Sequence, residues 1–143
     1  MLRGISPLLG PDLLHVLASM GHGDEIVIAD ANFPAAQNAA RLVRMDGHGA
    51  ADVARAILTI FPLDDFAPAA AFRMEVVDDP KSLPPICTEF ASALSASGYR
   101  GAFEAIERNQ FYVRAKQAFA IVATGETRLY GNLILKKGVI RPS

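Results

Sequence analysis

The densest group of polar side chains in the sequence is the segment 21–25 (GHGDE), which lies between two apolar stretches. A histidine between two glycines has a permissive backbone, so its ring can approach a ligand closely. Because an unperturbed imidazole titrates at about pH 6.5, His22 is suited to general acid–base catalysis at neutral pH. The alternative is a polar turn between a helix and a strand, with His22 facing solvent. The residue pattern alone leaves both interpretations open.

A second polar candidate, Asp30, directly follows the apolar run Ile26-Val27-Ile28-Ala29. A short continuous apolar run is typical of a strand that is covered on both faces. Ligands of open α/β sheets gather at the carboxyl ends of strands, which makes Asp30 a candidate binding residue. A turn-initiating aspartate explains the same position equally well.

Two further polar clusters lie in the second half of the chain. Arg108 and Tyr112 would share a helix face, with Arg114 nearby, and an arginine beside a tyrosine can donate several hydrogen bonds to a polyol. Tyr130 and Asn132 flank a glycine and offer a phenol, a flat ring and an amide. A solvated helix face and a hairpin turn are the structural alternatives for these two clusters.

Composition removes several classes of function. The chain has 143 residues, 14 basic and 15 acidic, and a net charge of −1, which gives no electrostatic reason to expect nucleic acid or anionic lipid as a partner. A single cysteine, Cys87, excludes an internal disulfide framework and a zinc site built mainly from thiolates. His22 has no second histidine at ligand spacing, so no metal site is predicted. No apolar run approaches the roughly 18 residues of a membrane span, and the expected location is the cytoplasm.

Helical periodicity and short apolar runs alternate along the chain, with no linker or internal repeat. This alternation predicts one domain over residues 1–143, a three-layer α/β/α fold with a mostly buried mixed sheet. The segment 35–45 is ambiguous, although 42–43 fits a short strand. Within the ambiguous segment 104–116, Phe111, Arg114 and Ala115 suit a helix, whereas the part before Arg108 fits a strand. The other predicted elements are a helix from Pro11 to a C-terminal cap at Gly21, helices over 50–61 and from Pro84 or Pro85 to Gly98, and strands over 26–29, 71–77, 119–123 and 133–135.

Three segments in order resemble the L-fucose mutarotase and D-ribose pyranase family. They are GHGDEIVIADANFP at 21–34, ERNQFYVRAKQAFAIVATGE at 107–126 and YGNLILKKGV at 130–139. Weaker similarity joins them and covers nearly the whole chain, whereas 35–40 and 81–105 match less well. Gly23 and Arg108 make the chain more similar to the fucose branch.

The resemblance implies a cofactor-free isomerase that interconverts the anomers of a free monosaccharide, with L-fucose expected. It implies that the proton donor is His22. It further implies a ring-shaped homo-oligomer, typically a decamer. The residues that it assigns to sugar binding are Asp30, Arg108, Tyr130, Gly131 and Asn132.

The spacing of His22 and Asp30 raises a geometric problem for one active site. Eight extended residues span roughly 26 Å, more than a monosaccharide can bridge. Either the chain bends sharply between the two residues, or one site takes them from different subunits.

Two other functions stay open at this point: pyranose–furanose interconversion of D-ribose, and a non-catalytic sugar-binding accessory role in transport. Three phenylalanines, Phe33, Phe111 and Phe119, are candidates for an apolar wall against the C6 methyl group of fucose.

Overall fold

The computed structural model describes residues 1–143 and confirms the predicted α/β class. Helices and strands alternate along most of the chain. Their bounds are α1 Pro11–Ser19, β1 Glu25–Ala29, α2 Ala35–Asn38, β2 Leu42–Met45, α3 Ala50–Leu58, β3 Ala69–Met74, α4 Pro85–Ala96, β4 Ala102–Ile106, α5 Arg108–Gln117, β5 Ala120–Thr124 and β6 Leu133–Lys136. No helix combines the length and apolar character required to cross a bilayer.

The six strands form one mixed sheet in the order β2-β5-β1-β6-β3-β4. The pairs β2–β5, β1–β5 and β3–β4 are parallel, whereas β6 runs antiparallel to both β1 and β3. The last strand in sequence therefore joins two parallel groups of strands. Its first residue lies at the carboxyl edge of the parallel strands, and its last residue lies at their amino edge.

Alternate residues of β1 pack into two different cores, which explains its continuous apolar run. Ile26 and Ile28 belong to the larger core, which is covered by α1, α3 and α4. Val27 and Ala29 belong to the smaller core, which is covered by α2 and α5. The sheet is thus the middle of three layers, as predicted.

Most predicted elements are confirmed, with corrections at their ends. Gly21 is not a left-handed helix cap, because α1 ends at Ser19, Met20 is extended, and the positive φ belongs to Gly23 at 87°. The ambiguous segment 104–116 divides into the end of β4 and most of α5. Strand β3 runs from Ala69 to Met74, so it begins two residues earlier and ends three residues earlier than predicted, and it is buried at every position. The four-residue helix α2 was not predicted.

Candidate active site

A small cleft opens at the carboxyl edge of the sheet, where β1, β3 and β4 end and β6 begins. Its volume is about 250 Å³, a size suited to a small ligand. Four of the six residues predicted from the sequence line it. The lining residues are Asp30, Asn32, Phe33, Met74, Arg108, Tyr112, Leu129, Tyr130 and Asn132.

Asp30 and Asn132 form a reciprocal pair at the floor of this cleft. The Asp30 backbone N–H donates to Asn132 Oδ1 at 2.9 Å, and Asn132 Nδ2 donates to Asp30 Oδ2 at 3.1 Å. Burial raises the pKa of the Asp30 carboxyl, and hydrogen bonds from Asn132 and from nearby backbone N–H groups offset only part of that effect. The pair fixes both side chains before any ligand arrives.

The segment between β5 and β6 brings Tyr130 to the same cleft in an unusual backbone conformation. Tyr130 has a φ of 63°, its hydroxyl accepts a hydrogen bond from Val77 N at 3.1 Å, and its carbonyl accepts one from the Cys87 thiol at 3.6 Å. Gly131 is buried behind it and does not line the cleft. Gly131 therefore contributes space for close packing, while Tyr130 lines the cleft.

The other wall of the cleft is a stack of three side chains. Tyr112 stacks on Phe33, with 5.1 Å between ring centroids, and the Arg108 guanidinium lies 5.0 Å from the centre of the Tyr112 ring. This confirms the predicted shared face of Arg108 and Tyr112. Glu107 caps α5 by accepting from the N–H groups of Asn109 and Gln110, which fixes the first turn that carries Arg108.

Arg108 makes no ion pair, so its donors are free to meet a ligand. Arg114, from the same sequence cluster, pairs instead with Glu25 and lies 3.8 Å from the centre of the Phe72 ring. The contacts of Arg114 are therefore structural, and its side chain does not line the cleft.

His22 lies at the opposite, amino edge of the sheet. Its Nε2 is 3.0 Å from Asp64 Oδ1, and its ring packs against Phe66 with 4.9 Å between centroids. The His22 side chain is 44% exposed, whereas that of Asp64 is 6% exposed. Burial raises the pKa of Asp64, but hydrogen bonds from His22 and from the Phe66 N–H outweigh it, so the pKa lies below its usual value.

The straight strand β1 separates His22 from Asp30 within one chain. Five residues of strand span about 17 Å, and the two side chains extend beyond its opposite ends. The structure thus contains no sharp bend that would bring His22 to the cleft of its own chain.

Asp64 is the residue of this arrangement that the sequence did not predict. It follows Leu63 in an irregular segment, 42 positions from His22, and no motif links the two. Among the candidate phenylalanines only Phe33 lines the cleft. Phe111 is fully buried, and Phe119 lies at the amino edge, where its N–H donates to Glu25 O and its ring packs under Arg41.

Sequence comparison finds a family model and curated relatives that match nearly the whole chain. A family model described as the RbsD/FucU transport protein family matches residues 3–140. A human fucose mutarotase is 50% identical over 145 residues, covering 97% of this chain and 94% of the relative.

Solved structures agree with that family match. A crystal structure of a fucose mutarotase from Streptococcus pneumoniae in complex with L-fucose has a TM-score of 0.93 and 42% identity, covering 98% of this chain and all of that one. The Bacillus subtilis RbsD structure complexed with D-ribose has a TM-score of 0.75 and 24% identity over 99% of this chain and all of that one, so it supports the fold alone.

Proposed function

This chain belongs to the RbsD/FucU family, and on that premise we propose that it is a sugar mutarotase that interconverts the α and β anomers of L-fucose. The observation that supports catalysis, and not sugar binding alone, is the His22–Asp64 pair. It places a partly exposed imidazole against a buried carboxylate, an arrangement that suits repeated proton transfer.

Interconversion of anomers requires only proton transfers and a bond rotation. The ring oxygen gains a proton while the anomeric hydroxyl loses one, the bond between C1 and the ring oxygen breaks, and a carbonyl forms at C1. Rotation about C1–C2 then presents the other face of the aldehyde, and closure reverses both proton transfers. General acid–base catalysis typically contributes about 10²- to 10⁴-fold to such a step.

The contact with Asp64 determines which nitrogen of His22 can serve the sugar. A carboxylate only accepts hydrogen bonds, so Nε2 carries a proton toward Asp64 in both charge states of the ring. Nδ1 then gains and loses the exchangeable proton. We assign the proton donor as the Nδ1–H of the His22 imidazolium, with Asp64 fixing the ring and stabilising its positive charge.

The cleft at the carboxyl edge supplies the groups that hold the sugar. We assign the orientation of the hydroxyl groups to Asp30, Arg108 and Asn132, because their polar atoms converge on one small volume. Tyr130 already accepts from Val77 N, so its own O–H proton is available as a donor or relay. Gly131 acts indirectly, by allowing the backbone to pass close behind Asp30.

We assign a preference for fucose over more polar sugars to the apolar side chains of the cleft. Phe33, Met74 and Leu129 line it and offer a surface for the C6 methyl group. One methyl-sized group is worth about 1–3 kcal/mol of discrimination between two sugars.

Because the two half-sites lie at opposite edges, we propose that each active site is shared between two copies of the chain in a closed ring, a homodecamer working in the cytoplasm. Exposed apolar side chains adjoin both half-sites, with Leu129 and Phe66 each 66% exposed. Packing the amino edge of one copy over the carboxyl edge of the next would bury both and would repeat around a ring.

Mixing two inactive variants tests the shared site. We expect His22→Ala and Asp30→Ala each to lose anomer exchange when expressed alone. Co-refolded at equal amounts in random mixture, they should regain about one quarter of the sites, because some interfaces pair an intact His22 with an intact Asp30. No recovery, in mixed assemblies verified by mass spectrometry, would show that each chain builds its own site.

The function itself is tested by saturation-transfer NMR of anomeric exchange with L-fucose, D-ribose and D-galactose. We expect the strongest acceleration with L-fucose. Acceleration of pyranose–furanose exchange on D-ribose instead would favour the ribose alternative. Binding of sugars without acceleration of any exchange would favour the accessory role in transport that the family description suggests.

A further inference from the structure

The loop that carries His22 connects α1 to β1 and has little regular structure of its own. Within it, Gly21 N donates to Asp24 Oδ2 at 2.7 Å, and Asp24 N donates to Gly21 O at 3.1 Å. Gly23 has a φ of 87°, a conformation that other residues rarely adopt. These contacts close the loop on itself but do not attach it to the sheet or to α1.

Lys137, directly after β6, makes the attachment through four hydrogen bonds. Its ammonium donates to Leu17 O at 2.7 Å and to Met20 O at 2.6 Å. Its backbone N–H donates to Asp24 O at 2.8 Å, and its carbonyl accepts from Gly23 N at 2.8 Å. Lys137 therefore holds the loop on both sides of His22. Its side chain binds Met20, and its main chain binds Gly23 and Asp24.

The end of α1 explains why an ammonium is needed there. The last turn of α1 contains no basic residue, and Met20 is extended, so the final carbonyl groups need donors from outside the helix. A cation at a helix C-terminus also meets the negative end of the helix dipole. Lys137 makes no ion pair with any carboxylate, so its charge serves this junction.

We infer that Lys137 is a positioning residue for catalysis, which holds the backbone on both sides of His22 so that the imidazole keeps its contact with Asp64. This inference rests on the proposed function of His22. Without the ammonium, the carbonyl groups of Leu17 and Met20 lose their donors, and on the α1 side the Met20 N–H bond to Val16 O is the hydrogen bond that remains. The backbone pairing at Gly23 and Asp24 is unchanged. The ring then pivots away from Asp64 without loss of the fold.

Three variants separate positioning from general stability, and Asp64→Asn supplies the reference signals of a His22 ring without its carboxylate partner. Lys137→Met keeps the aliphatic stem and removes the ammonium, whereas Lys137→Arg keeps a cation that can donate to both carbonyls. Lys116→Met is the matched control, since Lys116 is exposed on α5 and makes no ion pair. For each protein we would measure kcat and KM for L-fucose exchange by NMR, the ¹⁵N signals of the His22 ring, and Tm.

We expect Lys137→Met to lower kcat by about tenfold to hundredfold, the cost of displacing a catalytic group by about 1 Å. KM should stay near the wild-type value, because the sugar-holding residues lie at the other edge of the sheet. The His22 ring signals should move toward those of Asp64→Asn. Lys137→Arg should recover most of the rate, and Lys116→Met should match the wild type.

Two results would overturn the inference: wild-type kcat and His22 signals in Lys137→Met, or a parallel loss of kcat in Lys116→Met. A wild-type protein that accelerates no sugar exchange would instead refute the proposed function. In that case the His22 ring signals still decide whether Lys137 positions the imidazole, so the two failures are distinguishable.

Discussion

Substitution of Gly131 by alanine should disturb the sugar-holding edge through a single methyl group. A Cβ at this position would lie 2.8 Å from Glu126 Cγ, 3.3 Å from Arg128 O and 3.4 Å from Asp30 Cβ. Carbon atoms in ordinary contact are about 3.5–4.0 Å apart, so the first of these contacts is short by about 1 Å. The added methyl group must displace at least one of these neighbours.

The neighbours of Gly131 have little freedom to move. Glu126 is only 6% exposed and is ion-paired with Arg128, and Arg128 also pairs with Glu89 on α4. Overpacking of a site of this kind costs about 1–3 kcal/mol, and the constraint on Glu126 places the expected cost at about 2 kcal/mol. At about 4 °C per kcal/mol for a chain of this size, Tm should fall by about 8 °C.

The assay is chemical and thermal unfolding of Gly131→Ala at a fixed protein concentration, together with the KM for L-fucose exchange. Gly47→Ala is the matched control, because a Cβ there meets nothing within 4 Å and the backbone φ is not positive. We expect a raised KM for Gly131→Ala, since the clash pushes on Asp30, and near wild-type behaviour for Gly47→Ala. Equal stability of the two variants would refute the packing explanation.

Three further predictions concern buried polar groups. Thr124→Val removes a hydroxyl that donates to Ala29 O at 2.7 Å and accepts from Glu126 N at 3.2 Å, so denaturant titration should show a loss of about 1–3 kcal/mol; a neutral change would contradict this. The pKa of Asp64 is lowered, so its ionised carboxylate stabilises the fold above about pH 4, and this contribution is lost as the pH falls through the folded pKa. The difference in unfolding free energy between wild type and Asp64→Asn should therefore shrink below about pH 4. A pH-independent difference would refute this prediction. Burial raises the pKa of the fully buried Cys87 thiol, so a thiol reagent such as Ellman's reagent should label it only after unfolding in guanidinium; rapid labelling of the native protein would be inconsistent with the structure.

The sequence predicted the parts of the fold that depend on local burial. The run at β1 is continuous and apolar because both faces of the strand are covered, and the pattern reports that directly. The place of β6 between β1 and β3 depends on pairing between distant segments, which no local pattern encodes. The end of α1 was misassigned for a related reason: Lys137, more than a hundred residues away, caps this helix, and no glycine is needed there.

In the candidate site, too, the sequence predicted what depends on local pattern and missed what depends on contacts between distant segments. Asp30 was predicted because it ends a recognisable strand, and Arg108 with Tyr112 because helical spacing places them on one face. Asp64 was missed because only the folded chain brings it within 3.0 Å of His22. Gly131 was expected to contact the sugar, whereas its packing against Glu126 becomes visible only in three dimensions.

The central position of β6 has a consequence for synthesis of the chain. This strand begins at Leu133, so the two parallel groups of strands, β2-β5-β1 and β3-β4, cannot be joined until residues 133–136 have left the ribosome. Until then β1 and β3 each present an unpaired edge, which is a template for pairing with another chain. A nascent or truncated chain that ends before Leu133 is therefore expected to depend on chaperones and to aggregate, although it contains nearly all of both cores.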